Sequence, residues 1–257
     1  ENDVEEFAET KRTQVKGSSV NRYLSLLRSM FNCAKKWGYR IGDNPVPRGK
    51  MFDEKVYERD RVLSFDEESR LLGVIPEDNH IRDCILIALH TGMRKGEILK
   101  LKWSHIDFHN HLIVLKPENT KAKRGRKIDI NRTVLEILKR RRRLNGSEYV
   151  ITYHGKPIHS IKSGWFKYVE LAEIQDLTFH DLRRTFGTRL LEAGVNLVTI
   201  SRLLGHSRIE TTMTYLKPRI ELGREAVSIL DQLTERNQVY YQPLLPKEGK
   251  NLVNRLN

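Results

Sequence analysis

Helix stops organise this chain. From Ser64 onward apolar residues recur at three- and four-residue steps in segments that end on Gly92, Gly194 and Gly205, and Pro218 breaks the last of them. Glycine accepts the left-handed backbone that closes a helix and proline cannot extend one, so each marks an end. The helical period gives way to a strand-like pattern between residues 105 and 130. There HIDF and HLIVL flank His109-Asn110, and RKIDI follows a polar PENTKAKRG loop, which predicts a small three-stranded antiparallel sheet. The expected fold class is therefore mainly α with a small antiparallel three-stranded sheet.

Ser64 with Glu67 is a capping-box signal for a helix to about Leu72, and a second helix over 79–91 carries Ile81, Cys84, Ile85, Ala88 and Leu89 on one face. Further helices are predicted over 131–144, 160–173, 179–193, 196–204 and 208–216. Upstream, Val20, Leu24, Leu27, Phe31 and Ala34 predict an amphipathic helix over 18–37, opened by Ser18 or Ser19 and stopped at Gly38. Residues 39–63, with DNPVPRG, have the punctuation of a linker, which sets a boundary near residue 58. Residues 1–58 form one expected unit, 59–217 the main domain, and 218–257 a helix followed by a tail. That tail is either unstructured or an arm whose Tyr240, Tyr241, Leu244 and Leu245 dock on a neighbouring subunit.

Across 257 residues, 46 Lys and Arg against 33 Asp and Glu give a net charge of +13, a field that draws polyanions and supplies sequence-independent affinity for nucleic acid. Cys33 and Cys84 have neither disulfide-framework nor metal spacing and read as core thiols. No apolar run approaches the roughly 18 residues of a membrane span, and residues 1–20 are too charged for a secretory signal. HIDFHNH sits on a turn without paired ligands at helical spacing, so no metal site is expected. The run KRRRR at 139–143 reads as a solvated helix face, with DNA-backbone contact as the alternative.

Two arginine motifs, TGMRKGE and HDLRRT, precede LGHSRIETTMTY, in which Tyr215 stands nine positions after His206. Cleaving a phosphodiester by a tyrosine requires neutralising the non-bridging oxygens as charge builds, and a planar guanidinium does so with paired hydrogen bonds at any working pH. Arg94 follows Gly92 where one helix ends and another begins, so side chain and nearby N–H groups face one anion. His180, Arg183 and Arg184 stand at i, i+3 and i+4 and share a helical face that Thr178 can cap. Singly, Arg94 reads as a salt bridge with Glu97 and each histidine as structural; jointly they read as a phosphate site with a nucleophile.

These residues resemble the tyrosine recombinase, or phage integrase, family over about Val62 to Lys217. TGMRKGEIL resembles its first arginine box, HDLRRTFGTRLLEAG its second, and LLGHSRIETTMTYLK its last histidine and nucleophile. The resemblance implies that Arg94, His180, Arg183 and His206 bind and activate the scissile phosphate, that Tyr215 attacks it, and that Glu97 supports the site. It also implies a lysine between the second and third strands as acid for the departing 5′ oxygen: Lys121, with Lys123 the competitor. Lys123, Arg124, Arg126 and Arg184 are then the expected DNA contacts.

The implied activity is site-specific recombination or integration of a mobile element through a 3′-phosphotyrosyl intermediate, with no cofactor, neither metal nor ATP. A type IB topoisomerase and a catalytically silent DNA-binding protein of the same fold are the competing readings. The implied partners are double-stranded DNA attachment sites, further copies of the chain as a tetramer in synapsis, and accessory DNA-bending proteins, in the bacterial or phage-host cytoplasm. Residues 1–58 resemble the end of the family's helical core-binding domain, so either the chain is truncated or its clamp is small.

Overall fold

The computed structural model describes residues 2–39, 41–49, 51–53, 59–116, 125–144, 146–206 and 208–215. They divide into two compact units, with the change at Arg61 and Val62.

The first unit contains α1 (Asn2–Arg12), which the sequence reading misses, and α2 (Gly17–Lys36). Val4, Ala8, Val20, Leu24, Val46 and Phe52 form its core. Val46 and Phe52 come from the stretch read as linker, and Asn21 explains why that stretch folds back. Its side-chain amide donates to the Phe52 carbonyl at 2.8 Å, while its oxygen accepts from the backbone N–H groups of Met51 and Phe52 at 3.1 Å each. The loop thus satisfies its polar groups against α2 instead of water.

The second unit begins with α3 (Phe65–Gly73), opened by the expected capping box: Ser64 Oγ accepts from Glu67 N, and Glu67 accepts from Ser64 N. It continues with α4 (His80–Thr91), capped by Asn79 and closed by Gly92 at φ 62°, and α5 (Lys95–Leu99). After a 3₁₀ turn at Trp103–His105 come β1 (Ile106–Asp107), β2 (Leu112–Leu115) and β3 (Arg126–Asp129), antiparallel in sequence order as the pattern predicts. Ile113 and Leu115 of β2, with Ile128 of β3, face the core. Period two places Arg126 on the same inward face as Ile128, opposite Leu115 in register.

α6 (Arg132–Leu144) follows, then an unforeseen short hairpin, β4 (Thr152–Tyr153) and β5 (Lys156–Pro157), and α7 (Lys162–Leu171). The last helices are α8 (Phe179–Glu192), α9 (Leu197–Leu204) and α10 (Ile209–Tyr215). α4 packs along α8, and α9 covers the end of α8 through Phe186, Ile200 and Leu204. Cys84 is fully buried in the core and burial pushes its thiol up to about 12, in keeping with a packing role.

The run at 139–143 is not a uniformly solvated face. Lys139, Arg142 and Arg143 point out, with the Arg142 guanidinium 5.1 Å from the Trp103 ring, but Arg141 is buried. Arg140 and Arg141 both pair with Asp83 of α4, whose side chain is wholly buried. Residues Val134, Leu138 and Arg141 lie along one stripe of α6, so the buried arginine continues the apolar face. Asp83→Ala strands two guanidinium groups and is expected to lower unfolding free energy by about 3–5 kcal/mol, read by urea denaturation. Adding Arg141→Met recovers part of that loss; a strictly additive double variant contradicts the coupling.

Candidate phosphate-binding site

Two helix C-termini and one arginine build the floor of the site. Arg183, in the second turn of α8, is 1% exposed, and its guanidinium donates to the carbonyls of Gly92 and Leu204, where α4 and α9 end. Helix C-terminal carbonyls lack intrahelical donors and carry partial negative charge, so a buried cation is stable between them.

Each turn then delivers a functional residue. Past Gly92 and Met93 the chain reaches Arg94, which precedes α5 and keeps 26% of its side chain exposed. Gly92 has no room for a side chain: a Cβ would lie 2.6 Å from Phe186 Cδ1. Past Leu204, Gly205 turns left-handed at φ 66° and the His206 N–H returns to the Ser201 carbonyl at 3.0 Å. That six-to-one bond is the Schellman closure, and it fixes the backbone of His206.

Glu97 organises the cations. It is 5% exposed; one carboxylate oxygen takes the Arg94 guanidinium at 3.1 Å, and the other takes the Arg94 backbone N–H and Arg126 Nη2, each at 2.8 Å. Arg126 also donates to the Leu204 carbonyl, so two guanidinium groups converge on that oxygen. The sequence reading sets Arg126 among basic-loop contacts to DNA, and here the structure corrects it: the side chain is 8% exposed and turned inward by the β3 alternation. The strand pattern Arg126, Ile128, Ile130 carried that signal. A Cβ on Gly205 would lie 2.4 Å from Arg126 Nη1, a second reason for glycine at that turn.

His180 and Arg184 lie on α8 with Arg183, His180 keeping an exposed edge. The first turn of α8 is capped by Asp181, which accepts from the Thr178 N–H at 2.7 Å and from the Thr178 hydroxyl at 2.9 Å. Thr178 thus donates its hydroxyl to Asp181. Desolvation lowers the pKa of His180, helped by Arg183 and against Asp181. His206 is lowered to about 4, by burial first and then by Arg183, Arg94, Arg126 and His180. Both rings are therefore neutral near pH 7, and Arg183 and Arg94 act on both.

Tyr215 is the last residue of α10, nine residues beyond His206. Lys121, Lys123 and Arg124 fall in 117–124, outside the described residues, as do 216–257 with the predicted final helix and tail. No group of three or more histidine, cysteine or acidic side chains is placed to hold a metal ion among the described residues, and no helix there is long and apolar enough to cross a membrane. The assembled groups can bind a dianionic or monoanionic phosphate: fixed positive charge below, Arg94 at the edge, and neutral imidazoles that donate or accept a proton.

An imidazole held at about 4 in the fold and at 6.5 when unfolded ties stability to pH. Between those values the unfolded chain binds a proton that the folded site excludes, so this stabilisation is complete above pH 6.5 and declines as pH falls toward 4. Denaturant titrations at pH 7, 5.5 and 4.5 are expected to show that decline, with a shallower slope in His206→Gln; equal slopes contradict it.

A model of the phage integrase family matches residues 61–221. The shufflon-specific DNA recombinase of Escherichia coli is 34% identical over 229 residues, 87% of this chain and 56% of that protein. A tyrosine recombinase of Thermosipho africanus is 32% identical over 228 residues, 83% of this chain and 78% of its own. The integrase of Escherichia phage P2 is 28% identical over 231 residues, covering 88% of this chain and 63% of that one. The chain thus spans little more than half of the E. coli relative. Among solved structures, the Tn1549 transposon integrase in complex with a circular intermediate DNA superimposes with a TM-score of 0.72 at 21% identity, over 89% of this chain and 84% of that one. A lambda integrase dimer bound to a COC′ core site gives 0.67 at 19% identity, over 83% and 63%. At such identities the likeness concerns the fold. The matched residues contain both arginine motifs, both histidines and the late tyrosine, and the chain belongs to the phage integrase family of tyrosine recombinases.

Proposed function

We propose that this chain is a site-specific DNA recombinase of a mobile element, cutting and rejoining strands through a 3′-phosphotyrosyl bond. The observation that carries the reading is the convergence of Arg94, Arg126, Arg183, His180 and His206 around the Gly92 and Leu204 turns, with Tyr215 ending the next helix. Arg94, Arg126, Arg183 and Arg184 against the carboxylates of Glu97 and Asp181 leave net positive charge for a phosphodiester to neutralise.

The Tyr215 oxygen bonds to phosphorus while the bond to the 5′ oxygen breaks. The phenolic proton passes to neutral His180, and the leaving oxygen takes a proton from Lys121 or Lys123. Arg94 binds a non-bridging oxygen, and Arg183 supplies fixed charge beneath it while holding the two turns together. Attack by a 5′ hydroxyl of the partner strand reverses these steps and restores the tyrosine. One phosphodiester is exchanged for another, so the balance requires no ATP. Glu97 and Arg126 position Arg94.

Double-stranded attachment sites are the proposed substrate, with residues 1–58 as part of a DNA-clamping domain. The net charge of +13 and the DNA in the complexes of the Tn1549 and lambda integrases support this assignment. A tetramer at synapsis is proposed by analogy with the lambda integrase tetramer bound to a Holliday junction.

A nicked suicide duplex carrying the element's attachment site tests the reading. Wild type is expected to give a covalent protein–DNA band on a denaturing gel in EDTA, and Tyr215→Phe none. Arg94→Ala slows trapping by about 100-fold or more. A band that persists in Tyr215→Phe, or no band despite tight binding to the site, overturns the proposal, the latter in favour of a silent DNA-binding protein. Relaxation of supercoiled plasmid without strand exchange points instead to the type IB topoisomerase reading.

A further inference from the structure

A hydrogen bond that the reaction scheme above leaves unused joins His206 to the helix that ends in Tyr215. Thr212 of α10 is fully buried, and its hydroxyl lies 2.8 Å from His206 Nδ1. Its neighbour Thr211 is exposed, whereas Thr212 turns its hydroxyl onto the histidine. Residues 212 and 215 are three apart and therefore adjacent on the surface of α10.

Distance alone leaves the direction of this bond open, because a hydroxyl and an imidazole nitrogen each donate or accept. Burial decides it. Among the described residues, His206 Nδ1 is the recorded hydrogen-bond partner of the Thr212 hydroxyl. If Nδ1 carried a proton and donated, the hydroxyl proton would be buried without an acceptor, at a cost of about 1–3 kcal/mol. If the hydroxyl donates, every buried group is satisfied and Nδ1 is the unprotonated nitrogen. A neutral imidazole has one N–H, so the proton then resides on Nε2.

We propose that Thr212 is a positioning residue that holds His206 in its Nε2–H tautomer, so that the ring donates to a non-bridging phosphate oxygen. The opposite tautomer would aim a lone pair at the anion and repel it. Neutrality of the ring, imposed by its burial and by three surrounding guanidinium groups, makes the choice of tautomer decisive: no second proton is available to mask it. The backbone of His206 is fixed by the Ser201 carbonyl and its ring by Thr212, so both degrees of freedom are set before DNA arrives. The same hydroxyl ties the helix of the nucleophile to the phosphate-binding ring.

This inference rests on the recombinase reading for its consequence, though not for its geometry, and the two fail separately. Nitrogen-15 NMR of the histidine rings in the DNA-free protein, with His206 assigned by comparison with His206→Gln, reports the tautomer directly. Wild type is expected to show unprotonated Nδ1 and protonated Nε2; a dominant Nδ1–H form overturns the proposal whatever the enzyme does. Thr212→Val keeps shape and removes the donor. It is expected to mix the tautomers and slow single-turnover cleavage of the suicide duplex on the order of 10-fold, less than outright loss of a donor costs, at unchanged DNA affinity. Thr212→Ser is expected to restore both tautomer and rate. If wild type forms the tyrosine-dependent covalent complex while Thr212→Val keeps its tautomer and rate, the role of Thr212 falls and the recombinase reading stands. If wild type forms no covalent complex yet shows the Nε2–H ring, the recombinase reading falls and the tautomer assignment stands.

Discussion

The bond from Arg183 to two helix ends is the constraint on which the site depends. Its guanidinium bridges the Gly92 and Leu204 carbonyls, and the residues that follow them in the chain deliver Arg94 and His206. A surface arginine would make a mobile, weakly valued ion pair. Here the partners are backbone oxygens that α4 and α9 cannot satisfy internally, so breaking the contact costs a buried charge its partners and the Gly92 carbonyl its donor. Arg126 adds a second donor to Leu204 and passes the constraint to Glu97 and thence to Arg94. Loop residues acquire the placement of core residues by this route.

Neutral histidines follow from that arrangement. Arg183 and Arg94 put positive potential at both rings, and partial burial removes the water that would stabilise an imidazolium. The scaffold that holds an anion therefore also keeps its imidazoles uncharged, without a separate device for each.

Much of this was legible in the sequence. Glycine stops, the Ser64 capping box and the change to period two located most helices and the three-stranded sheet, because each depends on a local backbone rule. The arginines and histidines of the motifs do meet. What escaped depends on partners distant in sequence. Helix α1 carries few large apolar side chains to mark a core face, and only its packing on α2 buries Val4 and Ala8. Residues 41–53 read as linker because proline and glycine dominate them, while Asn21 supplies the bonds that hold them down. Arg126 reads from the sequence as a DNA contact and Arg141 as part of a solvated face, although each continues the apolar period of its own element. The lesson is that a basic residue on the inward phase of a strand or helix signals a buried carboxylate: Glu97 for one, Asp83 for the other. Thr212 carries no comparable signal, since Thr211 stands beside it in the chain and only the fold exposes one and buries the other.

Keeping some arginines inside while Lys139, Arg142 and Arg143 stand in solvent gives the molecule two electrostatic regimes. Mobile ions screen exposed charge over about 10 Å at 0.1 M and compete for it with any polyanion, whereas they scarcely reach the Glu97 and Leu204 contacts. Ionic strength therefore acts on the outer charge and leaves the inner framework alone, so salt can strip a polyanion from this surface without disturbing the packed arginines beneath it.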